Sequence, residues 1–290
     1  MKKLSFILLF LAAFLNANAQ LENSLLWEIK NAENGEKSYL FGTYHILGSD
    51  YLKDHQKVNK AYQNAQLVVV ETVVDSSKMM EVMMLGMMPG KSLKAMVDSA
   101  DYALLKQKIQ AATGMDVAML DQFKPLTIAT LYSLKLAEAA DDNGLDYGGT
   151  PIDLYFATDG KKQGKQVRPL ETMMEQAEIL YGSVTMEEQL QWLLEMIKDE
   201  ESAELSTQKV IQAYLNEDLN TMLAESEDME AEYGSLDFLL KNRNEKWIAS
   251  LKPILTKGNA FIAVGALHLP GDDGLIKLLR KEGYHIAPVK

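Results

Sequence analysis

The sequence predicts an α/β fold with a mixed central sheet and a helical insertion subdomain. Short apolar runs typical of strands lie near both ends of the chain, and the long stretches between them have a helical pattern. Each end also holds a strand, a Gly-x-x-His sequence, a helical stretch and a second strand, in that order. Two such units can pair in one sheet, which the C-terminal unit would complete.

The first 19 residues resemble a secretory signal peptide. Lys2 and Lys3 form a basic start, residues 4–15 an apolar core, and Ala17-Asn18-Ala19 a small-residue cleavage site. We therefore expect cleavage near Ala19 and a periplasmic or secreted protein, with residues 20–290 forming one domain. Since the chain has no cysteine, we expect neither disulfides nor a lipid anchor on an N-terminal cysteine.

The first unit begins with a predicted β-hairpin. Two apolar runs, Leu26–Ile29 and Ser38–Phe41, flank a polar stretch that contains Asn-Gly. Gly42-Thr43-Tyr44-His45 follows the second run, so His45 is expected where a strand gives way to a loop. A helix near 57–64 and a strand at Leu67–Val70 then lead to Glu71.

The middle of the chain is predicted to be mostly helical. The helical insertion covers approximately residues 76–145 and 172–255, with turn signals that divide it into several helices. Between its two parts, a helix is expected from Pro151 to Asp159, since proline favours an early helical position. A short strand within residues 164–170 then ends at Glu171.

The second unit repeats the first near the C-terminus. The apolar run Phe261–Val264 precedes Gly265-Ala266-Leu267-His268, and a last strand is expected at 284–287. Glycine allows the tight turn at a strand end, where open α/β sheets place their sites. The matched motifs therefore predict that the two imidazoles meet. The alternative is that a duplicated ancestry left two similar loops without a shared site.

The candidate ligands are two histidines and two glutamates. His45, His268 and Glu71 match the nitrogen and oxygen set of a divalent metal with an open position, and Glu171 repeats the strand-end setting of Glu71. A metal-bound water would attack a carbonyl, while Glu71 or Glu171 takes the proton if it is not itself a ligand. The alternative for each glutamate is an exposed strand end. His55 and His285 lack such a setting.

Arg243 is the candidate cation near the second motif. Its guanidinium can hold a substrate carboxylate or the oxyanion that develops during hydrolysis. An ion pair with one of the nearby acids, such as Glu245 or Asp237, is an equal alternative.

The charge and hydropathy of the chain limit its partners. The formal net charge of −12 disfavours nucleic acid and anionic membrane surfaces, and it suits a metal ion, a small cationic ligand or solubility alone. After the signal segment, no run approaches the about 20 apolar residues of a membrane helix, so no stable membrane insertion is expected. The oligomeric state is not predicted.

A methionine-rich stretch runs from Met79 to Met88. Its methionine pairs recur every four residues and would share one broad face of a helix. Three interpretations compete for this face: a buried core helix, a flexible apolar groove for peptides or a protein partner, and a thioether site for Cu(I).

These motifs together resemble the TraB/GumN/TIKI family over nearly the whole expected mature chain. The resemblance rests on the paired Gly-x-x-His motifs, Glu71 after its strand, residues 149–153 leading to Leu170-Glu171-Thr172, the pair Arg243-Asn244, and the ending 264–271. It implies a fold grouped with the ChaN and erythromycin-esterase-like proteins. It also implies a metallohydrolase, because the TIKI members are proteases of Wnt proteins supported by manganese or cobalt. Their motif positions correspond here to His45, His268 and Glu71.

Three functional hypotheses follow. The first is an exported metal-dependent hydrolase, with a peptide or protein as its substrate and manganese, cobalt or zinc as its metal. The second is a non-catalytic protein of the same fold that binds a metal or a haem-like ligand. The third is a scaffold that binds a partner through its methionine face.

Overall fold

The computed structural model describes residues 21–140 and 147–290, so the predicted signal peptide lies outside the described residues. The strands are β1 (Leu26–Lys30), β2 (Lys37–Thr43), β3 (Leu67–Val70), β4 (Gln166–Pro169), β5 (Ala260–Gly265) and β6 (His285–Pro288). The helices are α1 (Gln56–Asn64), α2 (Met79–Leu85), α3 (Leu93–Met96), α4 (Ser99–Thr113), α5 (Pro125–Ala140), α6 (Ile152–Lys162), α7 (Met173–Gly182), α8 (Met186–Lys198), α9 (Glu200–Leu215), α10 (Leu219–Tyr233), α11 (Lys241–Lys257) and α12 (Leu275–Lys281).

The sheet is mixed, as predicted. Its strand order is β4-β3-β5-β2-β1-β6. The four strands from β4 to β2 run parallel to one another, whereas β1 pairs antiparallel with both β2 and β6. The predicted hairpin is the β1–β2 pair, and the C-terminal β6 adds the last strand beside β1.

The two Gly-x-x-His units lie side by side in this sheet. Strands β2 and β5 pair in register, with Gly42 opposite Val264 and Thr43 opposite Gly265. Both strands are buried along most of their length, because helices cover the sheet and the strands carry continuous apolar runs. The prediction that the two units pair in one sheet is therefore confirmed.

Two separate hydrophobic clusters form the interior. The larger one contains the sheet strands together with buried residues of α1, α6, α11 and α12, and the ends of α9 and α10 that face them. The smaller one joins α3, α4, α5 and α8, with Leu105, Ile109 and Tyr132 fully buried. The helical region is thus divided between a part that packs on the sheet and a part with its own core.

The described helices differ in small ways from the predicted ones. Helix α6 begins at Ile152, and Pro151 is the capping residue before it rather than its first helical residue. The methionine-rich helix α2 is shorter than the stretch that predicted it and has no buried residue. No helix of the described residues is long and apolar enough to cross a membrane.

Candidate active site

All four predicted ligand and acid–base residues lie at the carboxyl edge of the parallel strands. His45 follows β2, Glu71 follows β3, Glu171 follows β4, and His268 follows β5 in a short 3-10 turn. Since the carboxyl ends of parallel strands meet at one edge, this arrangement is a consequence of the sheet order. The edge is therefore the part of the fold where these side chains can act together.

The glycines of the two motifs let neighbouring residues approach the backbone closely at this edge. A side chain at Gly42 would come within 3.0 Å of Ala266 in the other motif. At Gly265, the backbone N–H donates to Glu71 Oε1 over 2.7 Å, and an added Cβ would lie 3.2 Å from the same oxygen. Both positions thus favour glycine, because another residue approaches the backbone closely.

Arg243 lies between the two glutamates and donates from all five of its N–H groups. Its Nε and Nη2 bind Glu171, with Nη2 at 2.6 Å from Oε1, and Nη2 also binds Glu71 Oε2 at 2.5 Å. Its Nη1 donates to the Leu239 carbonyl over 2.9 Å and to His268 Nε2 over 3.1 Å. An arginine has five N–H donors, so none is left for a substrate.

This ion-pair arrangement differs from both sequence-based interpretations of Arg243. The guanidinium is not paired with Glu245 or Asp237, and its donors are occupied by the two strand-end glutamates. Only 9% of the Arg243 side chain and 0% of the Glu171 side chain are exposed, compared with 22% for Glu71. Glu71 is thus the more exposed carboxylate of the two.

The hydrogen bonds of His268 determine its tautomer. Its Nε2 faces the guanidinium, which can only donate, so Nε2 is an acceptor. Its Nδ1 lies 2.7 Å from Asn244 Oδ1 and therefore carries the proton. The amide of Asn244 is oriented by donation from Nδ2 to the carbonyls of His268 and Asp273. His268 is consequently a neutral imidazole with both nitrogens occupied.

Burial and neighbouring charges set the protonation states of this cluster. Burial lowers the pKa of His268 to about 4; Glu71 opposes this shift and Arg243 adds to it. Burial alone would raise the pKa of Glu71, but charge on His268, the guanidinium and the Gly265 N–H outweigh it and leave that pKa below its usual value. Since His268 is neutral at neutral pH, Arg243 and the Gly265 N–H are the groups that keep Glu71 ionised there.

Two more side chains support the cluster from the helices. Trp247, one turn after Arg243 on α11, packs its ring 4.5 Å from the His268 ring and 4.7 Å from the guanidinium carbon. Gln176 on α7 donates to Glu71 Oε2 over 3.1 Å. Each glutamate, the arginine and the imidazole are thus fixed by several partners, which makes the cluster rigid.

His45 has a different environment. It is exposed, and its ring lies 5.6 Å from that of Tyr44. Its loop is joined to the segment before α6 by four backbone hydrogen bonds, which link Gly48 to Tyr147, Ser49 to Thr150, Asp50 to Gly148 and Ile152 to Leu47. We call these paired segments, residues 47–50 and 147–152, the clasp. The clasp holds the start of α6 beside the first Gly-x-x-His motif.

The clasp brings Asp153 to the site. Burial raises the pKa of Asp153, the charge on His45 lowers it, and Glu71 raises it further, so this carboxyl lies within electrostatic reach of both residues. Its Oδ1 is buried and has no hydrogen-bond partner among the described residues. Asp153 is therefore a third carboxyl near His45 and Glu71.

The predicted metal ligands do not fit a divalent cation as they are arranged. Both nitrogens of His268 are occupied, and both oxygens of Glu71 accept hydrogen bonds. Within residues 21–140 and 147–290, no group of three histidine, aspartate or glutamate side chains could hold a metal ion. Arg243 occupies the position between the carboxylates that a metal would need.

Three residues of the site had no role assigned to them from the sequence. Asp153 was named only within the motif 149–153, because it follows no strand and its position depends on the clasp. Asn244 was named only within the motif pair with Arg243, and Gln176 lies in an ordinary amphipathic stretch. The other histidines lie elsewhere: His55 stacks on Tyr51 at a ring distance of 3.8 Å, and His285 is exposed in β6.

Comparison with known proteins gives two findings. The model of the family described as "TraB/PrgY/gumN family" matches residues 25–288. A curated zebrafish (Danio rerio) protein described as "Metalloprotease TIKI2" is 24% identical over 323 aligned positions, which cover 91% of this chain and 60% of that protein. The chain thus spans about 60% of the length of this relative. No solved structure gives a significant match.

Proposed function

The chain belongs to the TraB/PrgY/gumN family, and on this basis we propose that it is a hydrolase of peptide bonds, with His45 and Asp153 at its reactive centre. One observation carries the proposal. At the carboxyl edge of the sheet, Asp153, whose Oδ1 has no partner among the described residues, lies within electrostatic reach of the exposed His45 and of Glu71, the more exposed carboxylate of the Arg–Glu cluster. Such a convergence of titratable groups with unequal surroundings is typical of an active site.

His45 is the best candidate for the base. Glu171 is fully buried in its ion pair, and Glu71 is held as a carboxylate of lowered pKa by Arg243 and Gly265, so both are poor proton acceptors. His45 is exposed, and an imidazole exchanges protons readily near neutral pH. Asp153 would stabilise the imidazolium that forms when His45 takes a proton from water.

The reaction then follows the usual course of amide hydrolysis. Water gives its proton to His45 as its oxygen attacks the carbonyl carbon, and the C–N bond breaks when the leaving nitrogen receives that proton from the imidazolium. Arg243 has no free N–H for the oxyanion, so its contribution is to keep Glu71 ionised and to hold both glutamates in place. The carboxylates nearest the reactive centre are then those of Glu71 and Asp153.

The substrate class and the metal requirement rest on the relative. The zebrafish relative is described as a metalloprotease, which supports a peptide or protein substrate. Manganese and cobalt, which the family resemblance suggests, and zinc are the metals to test. The side chains of the cluster favour Arg243 over a metal between Glu71 and Glu171. No step of the proposed reaction therefore depends on a bound metal.

A cleavage assay tests the proposal. Purified protein is incubated with a mixed peptide library and a denatured protein, with chelator or with added manganese, cobalt or zinc. We expect cleavage by the wild type, a loss of at least 100-fold for His45→Ala, and wild-type rates for His285→Ala, whose histidine is exposed in β6. Failure of the wild type to cleave under every condition would overturn the proposal, as would full activity of His45→Ala.

A second candidate function is supported by the exposed methionines of α2. Met79, Met80, Met83 and Met84 have exposed fractions of 52%, 65%, 45% and 48%, so the interpretation as a buried core helix does not apply to them. Methionine-rich surfaces adapt to varied partners. A scaffold that binds a partner here would lose binding when these four residues are changed to glutamine, whereas cleavage at His45 would continue.

A further inference from the structure

We propose that His268 is not a metal ligand but a positioning residue, a neutral acceptor that seats Arg243 against Glu71 and Glu171. The two Gly-x-x-His motifs would then have different roles, although they are matched in sequence and lie on adjacent strands. This inference goes beyond the proposed hydrolysis and can be tested without any substrate.

The first step is the absence of a free lone pair on His268. A metal ligand must offer an unprotonated nitrogen to the ion. Nδ1 of His268 carries the proton that it donates to Asn244, and the Nε2 lone pair faces Arg243 Nη1 at 3.1 Å. A metal could bind Nε2 only after the guanidinium had moved and left its Nη1–H without this acceptor.

The second step is the charge of the cluster. Arg243 is already paired with two carboxylates, so a third carboxylate at the position of His268 would add a negative charge to a buried group. A neutral imidazole satisfies the remaining Nη1–H without adding charge. The His268 ring also packs against Trp247, with its centroid 4.5 Å from that of the indole.

The third step is the contrast with His45. Only 4% of the His268 side chain is exposed, whereas His45 is exposed and lies within electrostatic reach of Asp153. A buried imidazole with two fixed partners positions its neighbours, whereas an exposed one can exchange protons with solvent or bind a ligand. The duplicated motif therefore supplies one reactive and one positioning histidine.

Nitrogen NMR tests the tautomer directly. The chain has four histidines, so labelling their rings with ¹⁵N gives four sets of signals, and the set lost in His268→Gln belongs to His268. We expect the Nδ1–H tautomer at neutral pH and no change in its Nε2 signal when Zn²⁺ alone is added. An Nε2–H tautomer, or a zinc-induced change at Nε2, would overturn the proposal.

Rescue by a conservative variant tests the positioning role. Glutamine can present a neutral oxygen to Arg243 Nη1, whereas leucine fills similar space without an acceptor. We expect the urea midpoint of His268→Gln to lie close to that of the wild type and that of His268→Leu to be clearly lower. His45→Gln and His45→Leu, the matched pair at the exposed motif, should have the same midpoint.

The outcomes separate this inference from the proposed function. Equal urea midpoints for His268→Gln and His268→Leu would overturn the positioning role even if the protein cleaves peptides. Conversely, a protein that cleaves nothing would still support the inference if the tautomer and the rescue are as expected.

Discussion

Every N–H group of Arg243 donates to an acceptor of the protein, and this determines how a substitution of Arg243 should change stability. In Arg243→Met, Glu71 and Glu171 lose the cation between them and become carboxyl groups without a counter-charge. Removing one partner of a buried ion pair costs about 3–5 kcal/mol in unfolding free energy. Urea unfolding would measure this loss, with Arg168→Met as the control because Arg168 is exposed in β4. Equal stability of both variants would contradict the enclosed ion pair.

The lowered pKa of His268 predicts how the free energy of unfolding depends on pH. The folded pKa is about 4 and the ordinary value is 6.5, so the unfolded chain takes up the proton first as the pH falls. The contribution of neutral His268 to the free energy of unfolding is complete above pH 6.5 and is lost as the pH falls from 6.5 to 4. Its total is about 3 kcal/mol.

Urea midpoints at half-unit pH steps would measure this dependence. His268→Gln cannot take up this proton, so the difference between the variant and the wild type should change across that interval. Parallel curves for the two proteins would contradict a buried neutral His268.

At the residue scale, the sequence predicted the side chains that follow strands better than it predicted their chemistry. His45, Glu71, Glu171 and His268 could all be placed at one edge because each follows an apolar run. Their partners depend on distances that no local pattern encodes. Arg243 binds Glu171, 72 positions away, because the fold brings α11 close to the residue that follows β4.

At the scale of elements, the clasp is the part of the site most sensitive to side-chain size. A Cβ at Gly48 would overlap the carbonyl oxygens of Tyr147 and Gly148, both of which accept clasp hydrogen bonds. Gly48→Ala should therefore destabilise the protein by about 1–3 kcal/mol, as overpacked substitutions do. It should also reduce peptide cleavage, because Asp153 would move relative to His45.

The matched control for Gly48→Ala is Gly182→Ala at the end of α7. A Cβ there would meet nothing within 4 Å, so no loss is expected. Thermal unfolding and the peptide-cleavage rate of the two variants provide the comparison. A Gly48→Ala variant with the thermal stability and cleavage rate of the wild type would show that the two segments of the clasp are not in tight contact.

Elements with strong local signals were predicted well. The β1–β2 hairpin has an Asn-Gly turn between alternating runs, and β5 is a continuous apolar run, so both could be predicted from the sequence. The exposure of the methionines on α2 could not be predicted from the sequence, because methionine spacing is the same on a buried helix face and on an exposed one. Only the packing of α2 against other helices decides between them.

At the scale of the whole molecule, the parallel order β4-β3-β5-β2 explains why distant parts of the sequence form one site. The strands come from both ends and the middle of the chain, and only their pairing brings Glu171 close to Glu71 and His268 close to both. The sequence predicted the pairing of the two Gly-x-x-His units because their motifs match. It did not predict the position of β4 at the outer edge, which is decided by the packing of the helices around it.

The two hydrophobic clusters lead to a prediction about cooperativity. They share no buried residue within the described chain, so we propose that the helices α3, α4, α5 and α8 form a subdomain that opens before the sheet does. Ile109 on α4 and Ile262 on β5 are both fully buried, one in each cluster, and an alanine at either costs about 2–5 kcal/mol.

Native-state hydrogen exchange of Ile109→Ala and Ile262→Ala tests this order of opening. We expect Ile109→Ala to accelerate exchange in α4, α5 and α8 while the amides of β3 and β5 keep their protection. Ile262→Ala should accelerate exchange in β3 and β5, whereas α4, α5 and α8 should keep the exchange rates that their own earlier opening gives them. The asymmetry between the variants is the decisive observation, since a single cooperative unit would lose protection everywhere with either substitution.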